Sequence, residues 1–314
     1  MAAVRPERLN GVQRQWETRR PLLPELALIG ATIAYGATFV LVQDALERVT
    51  PVGFILLRFS VGAAVLVPFA LRRGWRRPQV PETERAFAVA ALAFGVTGFA
   101  GYWFQNAGLQ RTTTSNSAFI TGLFVVFTPL VETVVRHTPP ARNVLAAVAV
   151  SAVGLFLLTG AELSVNAGDA LTLGCAFTFG IWISLGGEYS QRFDPIALTT
   201  AQMVVFAALA VPVVALDGLG EVDGRVIVAV LVTGVLCSAV AFSLQLWAQR
   251  FVEPSRAAVI LLFEPVVAGF VGYAAGERLG VPGYVGAVVI LGGILLAESR
   301  SWRRSAATDD RDAA

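Results

Sequence analysis

The sequence has 314 residues, of which 55% are hydrophobic and only 15% are charged. A soluble domain carries about 25% charged residues, and a chain with a mean hydropathy of +0.67 could not keep its surface polar. Its apolar runs reach about 20 residues and are apolar on all sides, which favours spanning helices over the shorter alternating strands of a barrel. The sequence therefore predicts an all-α integral membrane protein that sits in a lipid bilayer.

The overall charge says little about nucleic acid, and no nucleic-acid partner is predicted. All 24 of them are arginines, the formal net charge is only +2, and they cluster in short loops and in the two tails. Cys175 and Cys237 both fall inside apolar runs, so they predict no disulfide and are expected to pack in the core. His137 is the single histidine. Since a metal site needs several convergent ligands, we predict no metal and no cofactor.

Ten hydrophobic spans are predicted, joined by short loops. Nineteen arginines fall on the side that carries the N-terminus, four fall on the opposite side, and Arg58 lies within a span. This distribution follows the positive-inside rule, so the tails 1–21 and 299–314 are both expected in the cytoplasm. The spans are predicted at 25–44, 52–71, 86–108, 115–135, 142–160, 167–188, 196–216, 226–247, 256–275 and 282–298.

The chain also contains an internal repeat. Four pairs of small residues or prolines match at an offset of 144: Gly30 and Gly174, Gly36 and Gly180, Pro51 and Pro195, and Pro68 and Pro212. Later the offset becomes 139, where Gly154 meets Gly293. We predict two five-helix halves, residues 22–160 and 163–298. Because five is odd, the halves must be inverted, and inverted repeats place a substrate site near the bilayer midplane.

Two charges are predicted to lie deep in the membrane. On a rise of 1.5 Å per residue, Glu264 lies about 12 Å from the inner boundary and Arg58 about 9 Å from the outer one. A charge at the bilayer centre costs roughly 2.5–3.5 kcal/mol, so both should face the bundle interior. They form a structural ion pair or bind substrate, and the sequence leaves both interpretations open. Glu132, near the inner boundary, is expected to snorkel.

Polar and aromatic residues in several spans predict the wall of a central cavity. Each aromatic alone fits core or lipid contact equally well, and only the joint placement favours a cavity. Pro129 and Pro265 are expected to bend their helices, because proline removes a backbone hydrogen bond. The candidate cavity residues are Tyr35, Thr38, Arg58, Trp103, Gln105, Asn106, Asn116, Trp182, Gln245, Trp247 and Glu264.

Four short motifs lie in spans one, two, four and nine. They are Tyr35-Gly-Ala-Thr-Phe, Leu57-Arg58-Phe59, Ala118-Phe-Ile-Thr-Gly-Leu-Phe followed by Pro129, and Phe263-Glu264-Pro265 followed by Gly276-Glu277. With these motifs the chain resembles, over residues 22–298, the drug/metabolite transporter superfamily, EamA-type. Tyr35 is one departure, because many members have Trp before the following glycine. The resemblance implies export or exchange of small metabolites, often amino acids, through a cavity formed by both halves.

Residues and resemblance together predict a secondary transporter in the cell membrane that exports or exchanges small, amino-acid-like metabolites by alternating access. Proton coupling is a hypothesis that rests on one buried carboxylate, Glu264. The alternatives are efflux of cationic or aromatic drugs, a membrane scaffold without transport, and a membrane enzyme, although no nucleophile–base arrangement is visible. The sequence does not distinguish a monomer from a homodimer.

Overall fold

The computed structural model describes residues 22–75, 83–109, 111–112, 114–136, 140–160, 166–274 and 280–312, and these are almost entirely helical. The prediction of an all-α protein is confirmed for this part of the chain. In chain order the helices are α1 (Leu22–Ala37), α2 (Phe39–Leu46), α3 (Pro51–Arg73), α4 (Glu84–Leu109), α5 (Thr114–Gly122), α6 (Phe124–Arg136), α7 (Arg142–Thr159), α8 (Ala167–Arg192), α9 (Pro195–Asp217), α10 (Gly224–Val232), a π-helical segment (Thr233–Ala241), α11 (Phe242–Ala248), α12 (Pro254–Leu261), α13 (Phe263–Ala274) and α14 (Val281–Asp312).

Eight helical segments of the described chain are long and apolar enough to cross a membrane. A ninth is the bent pair of α1 and α2, whose axes differ by 41° on either side of Thr38. The apolar part of α14, Val281–Ala297, is slightly shorter than these. The protein is therefore a multi-pass membrane protein.

Two of the helix starts show how local sequence fixes the boundaries. The Thr50 hydroxyl accepts a hydrogen bond from the Gly53 N–H at 3.1 Å, and Pro51 opens α3. At the corresponding place in the second half, Asp194 accepts from the next two free N–H groups and a proline opens α9. A capping side chain followed by proline predicts both starts, and the prediction is confirmed.

Two spans are interrupted at equivalent positions. Leu123 separates α5 from α6, and Leu262 separates α12 from α13, which is a shift of 139 residues. Pro265 lies in the first turn of α13, where it lacks the N–H that would bond to the carbonyl of Leu261. Pro129 instead lies inside α6, well past the break. The breaks therefore follow the repeat, whereas the prolines do not.

Helix packing follows an approximate two-fold pattern. α3 packs on its counterpart α9, and α7 packs on its counterpart α14. In the other main contacts, the first helix of each half packs on two helices of the opposite half. α1 packs on α11 and α13, and its counterpart α8 packs on α4 and α6. Glycines permit the closest of these approaches. A Cβ at Gly36 would lie 2.7 Å from the Glu264 carbonyl oxygen, and one at Gly180 would lie 2.8 Å from the Phe127 Cβ.

Candidate functional site

A cavity of about 470 Å³ lies between the two halves. It is lined by side chains from α1 to α6, α8, the π-helical segment and α11 to α13, so both repeats contribute to its wall. Eight of the predicted cavity residues line it: Tyr35, Thr38, Arg58, Gln105, Asn106, Trp182, Gln245 and Glu264.

The two ends of the bundle differ. At one end, called the Glu47 end, the cavity is lined by the exposed side chains of Gln43 and Glu47. At the other, called the Arg256 end, Arg256 forms an ion pair of 2.8 Å with Glu25, which ties the start of α12 to the start of α1. Glu264 comes ten residues after α12 begins, so it lies about 15 Å from that end. The cavity therefore opens at the Glu47 end and ends near the middle of the bundle.

Arg58 is half-buried in α3 and points into the cavity. Its Nε donates to the Ser238 Oγ at 2.9 Å, and its guanidinium carbon lies 5.2 Å from the centroid of the Phe59 ring. Ser238 belongs to the π-helical segment, so the second half positions an arginine of the first. Only the Nε of Arg58 donates a hydrogen bond within the described chain. The other N–H groups of the planar guanidinium can therefore donate to a ligand.

Glu264 also lines the cavity, in the first turn of α13. Among the described residues it has no hydrogen bond and no ion pair within 4.0 Å, and it is therefore not paired with Arg58. The interpretation of these two charges as a structural ion pair is not supported in this conformation. An unpaired carboxyl beside a cavity can meet a cationic group or a proton instead.

A network of weaker polar contacts surrounds the two charges. The Tyr35 hydroxyl donates to the Gln245 Oε1 at 3.0 Å, which bridges the two halves. The Thr38 hydroxyl donates to the carbonyl of Ala34 and lies 3.0 Å from the Cys237 Sγ. Cys237, which the sequence predicts as core packing, thus lines the cavity. It lies in the π-helical segment, a backbone form found frequently at functional sites.

Two of the predicted residues lie elsewhere. Trp103 is 42% exposed and packs on Phe104, and Trp247 packs on Phe251, so neither lines the cavity. Both are displaced from the cavity-lining face of their helices, since the adjacent Tyr102 and the nearby Gln245 are the residues that face it. The side chain of Asn116 and the whole of His137 lie outside the described residues.

Several lining residues were not predicted from the sequence, among them Phe242. Tyr102 belongs to the polar and aromatic residues of its span that the sequence indicates for the wall. It lies three and four residues before Gln105 and Asn106, which is the spacing of one helix face, and it lines the cavity. Ser238 does not line the cavity but positions its arginine, and an isolated serine in an apolar span predicts nothing about its partner.

The proximity of Glu132 to the predicted membrane boundary suggested a side chain at the surface. The structure instead buries it. It is only 3% exposed, and it accepts hydrogen bonds from the backbone N–H of Ser255, at 2.9 Å, and from the Ser255 hydroxyl. Ser255 is in the first turn of α12. The expected snorkelling is therefore wrong, because a carboxylate at a helix N-terminus is stabilised by the free N–H groups there.

A bundle of membrane-spanning helices in two repeats, with a cavity between them that holds charged and polar side chains, defines a membrane transporter. The EamA-like transporter family model matches residues 22–160 and 166–298. The chain belongs to the EamA-like transporter family.

Relatives of known sequence point the same way. An uncharacterized transporter of Archaeoglobus fulgidus is 31% identical over 89% of this chain and 87% of its own length. The uncharacterized transporter YyaM of Bacillus subtilis is 25% identical over 87% of this chain and 92% of its own. One solved crystal structure has a TM-score of 0.73 at 18% identity, covering 88% of this chain and 97% of that one. At that identity the structural match establishes the fold alone.

Proposed function

We propose that this protein is a secondary transporter in the cell membrane that exports or exchanges small amino-acid-like solutes by alternating access. In this proposal ten spans form two inverted five-helix repeats. The bent pair of α1 and α2 is the first span, and Val281–Ala297 is the tenth. The Arg256 end and both termini face the cytoplasm, in keeping with the distribution of arginines. The cavity then opens outward.

The observation that carries the substrate class is the joint presence of two available charges in one cavity. Arg58 offers guanidinium N–H groups, and Glu264 offers a carboxyl without a partner in the described chain. A solute with a carboxylate and an ammonium group satisfies both. Aromatic rings complete the wall and suit an apolar side chain on the solute; they belong to Tyr35, Phe59, Tyr102, Phe179, Trp182 and Phe242.

Efflux of cationic aromatic compounds is the second candidate. The unpaired Glu264 and the aromatic wall favour it, whereas the half-buried Arg58 opposes it, because a cation beside an arginine is repelled. The scaffold alternative has no use for a polar cavity of this size, since polar groups within a membrane are expensive to maintain. The membrane enzyme gains no support from the described lining residues, among which no nucleophile is hydrogen-bonded to a base.

Glu264 is the residue proposed to couple transport to protons. It binds either the cationic group of the solute or a proton, so that loading one displaces the other. Exchange of this kind needs a site that both sides of the membrane can reach in turn. The mid-bundle depth of Glu264 fits that requirement.

Uptake by reconstituted vesicles tests the proposal. Purified protein is incorporated into vesicles, and a panel of zwitterions, carboxylates and aromatic cations is measured with and without a pH gradient. Zwitterions are expected to be transported, and folded Glu264→Gln and Arg58→Ala are expected to transport them well below the wild-type rate. If both folded variants transport at the wild-type rate across neutral pH, the assignment of these residues is wrong.

A further inference from the structure

At the closed end of the bundle, the residues that correspond by the repeat to several cavity-lining residues of the first half are buried. Under the offset of 144 residues, five lining positions of the first half correspond to five of the second: Gln43 to Gly187, Glu47 to Gln191, Phe54 to Leu198, Ile55 to Thr199 and Arg58 to Gln202. All five second-half residues are buried. The surface that meets the cavity in the first repeat is thus packed away in the second.

Polar groups are unusually frequent in this packed region. Thr199 is fully buried, and its hydroxyl has no hydrogen-bond partner among the described residues. Gln202 is 1% exposed and accepts one hydrogen bond from the Trp182 Nε1 at 3.1 Å. A buried polar group without a partner costs about 1–3 kcal/mol. Periodic contact with water would account for retaining these groups.

An unpaired hydroxyl alone would not carry this inference. Ser151, in the contact of α7 with α14, is also fully buried and unpaired within the described chain. Its repeat-related position, Ile290, is buried as well and does not line the cavity. Thr199 differs because its counterpart, Ile55, lines the open cavity. Ser151 is therefore a matched control for Thr199.

Directional contacts help to close this end of the bundle. The Gln191 Nε2 donates to the Arg250 carbonyl at 2.5 Å, and the Gln249 Nε2 donates to the Ile183 carbonyl at 3.1 Å. Gly187 lies so close to Pro254 that a Cβ there would be 2.4 Å from its Cγ. These contacts join α8 to the connection between α11 and α12. They can separate as a rigid-body movement of one helix end.

We infer that the structure is one of two access states, and that in the other state the solute path runs between the C-terminal part of α8, the N-terminal part of α9 and the start of α12, past Thr199 and Gln202. The inference rests on the proposed transport function and assigns its second access path to named residues. Exchange of conformation between inverted repeats provides the movement. α1 and α2 are bent relative to each other at Thr38. Trp182 corresponds to Thr38 under the repeat, so α8 bends at Trp182 in the second state.

Cysteine accessibility in vesicles tests the path. Cys237 lines the cavity, so the background is Cys175→Ala with Cys237→Ser, and its transport is measured first. Single variants Thr199→Cys and Ser151→Cys are then exposed to a small maleimide. Modification of Thr199→Cys should be at least about tenfold faster than that of Ser151→Cys, since the rate follows the population of the state that exposes the residue.

A second substitution shifts the equilibrium. Gly187→Leu cannot close against Pro254, so it should speed the modification of Thr199→Cys and slow that of Ile55→Cys at the Glu47 end. If Thr199→Cys does not fold, the rate of maleimide modification of Gln202→Cys is measured instead. Transport-active vesicles in which both second-half cysteines react no faster than Ser151→Cys would overturn the inferred path. Absence of transport for every solute in wild-type vesicles would instead contradict the proposed function, and the labelling pattern would still decide the path.

Discussion

Replacing Arg58 with glutamine is the sharpest test of how the cavity recognises its solute. The chain itself suggests this change, because Gln202 occupies the corresponding position in the second half. Glutamine keeps a polar side chain in the cavity and removes only the charge and the guanidinium fork. Loss of function can then be attributed to charge recognition rather than to a void in the wall.

The size of the effect follows from the environment of Arg58. It is half-buried, and Ser238 engages its Nε, so a solute carboxylate can approach the other nitrogens to hydrogen-bond distance. Two unit charges about 4 Å apart attract by about 4 kcal/mol at the effective dielectric of a protein surface. Water replaces part of this attraction, which leaves about 2 to 3 kcal/mol. The loss in affinity is then roughly 30- to 150-fold.

The assay compares a carboxylate solute with its amide analogue in the same vesicles. Arg58→Gln should raise the KM for the carboxylate by the factor above and change the KM for the amide by less than about threefold, since the amide carries no charge to lose. Arg48→Gln is the control. Arg48 lies at the same end of the bundle but pairs with Asp44 and Asp223 outside the cavity. Equal losses for both solutes in Arg58→Gln would refute carboxylate recognition by Arg58.

The remaining predictions concern coupling and stability. Glu264→Gln should abolish stimulation of transport by a pH gradient and raise the melting temperature by about 2–4 °C, about 1 kcal/mol, because an unpaired carboxyl is removed from the bundle; an unchanged response to the gradient would count against the coupling role. Gly293→Val should destabilise the protein by about 1–3 kcal/mol, because a Cβ there would lie 2.1 Å from a serine hydroxyl. Gly292→Val, with nothing within 4 Å, should have little effect in the same melting experiment. Asp223 accepts the Val226 N–H, and this hydrogen bond holds the pKa of its carboxyl below 3.8. Its stabilising contribution is present above that pH and is lost on acidification. Asp223→Ala should therefore lower the melting temperature at pH 7, with a difference from wild type that narrows below pH 3.8; a constant difference would contradict the prediction.

The sequence predicted a multi-pass all-helical protein because membrane helices leave strong local signals. Apolar runs indicated ten spans, of which eight are helices of the described chain that are long and apolar enough to cross a membrane. The capping pairs Thr50-Pro51 and Asp194-Pro195 indicated two helix starts that the structure confirms. The interruptions at Leu123 and Leu262 were not predicted. A helix break depends on how a span packs against its neighbours. The sequence of an apolar span does not indicate whether the helix is broken.

The cavity was only partly predictable for a related reason. Depth along a helix can be counted from sequence, so Arg58 and Glu264 were selected correctly as cavity-lining charges. To predict which side of a helix a residue occupies, one must know which face of the helix is buried. A span that is apolar on all sides gives little information about that face. Trp103 and Trp247 were consequently misplaced, since polarity and aromatic character were used without regard to the helix face.

Differences between the repeats explain why the cavity has formed on one side. Where the first half has Thr38, the second has Trp182, which stacks on Phe94 with a centroid distance of 5.2 Å and donates to Gln202. A threonine leaves space beside α3, whereas a tryptophan fills the corresponding space beside α9. The small residue thus leaves the route beside α3 open, and the large one fills the equivalent route beside α9.

The charges follow the same asymmetry, and in the proposed transport cycle they assign different chemistry to the two access states. Arg58 corresponds to the neutral Gln202, and Glu264, at the offset of 139 fixed by the helix breaks, corresponds to Val125. A solute at the Glu47 end meets both a cation and an acid. A solute entering past Gln202 meets an amide in place of the arginine, so a carboxylate is held less firmly on that side. In the proposed cycle the repeat supplies a symmetric movement, while these two differences between the halves make the binding site itself unsymmetric.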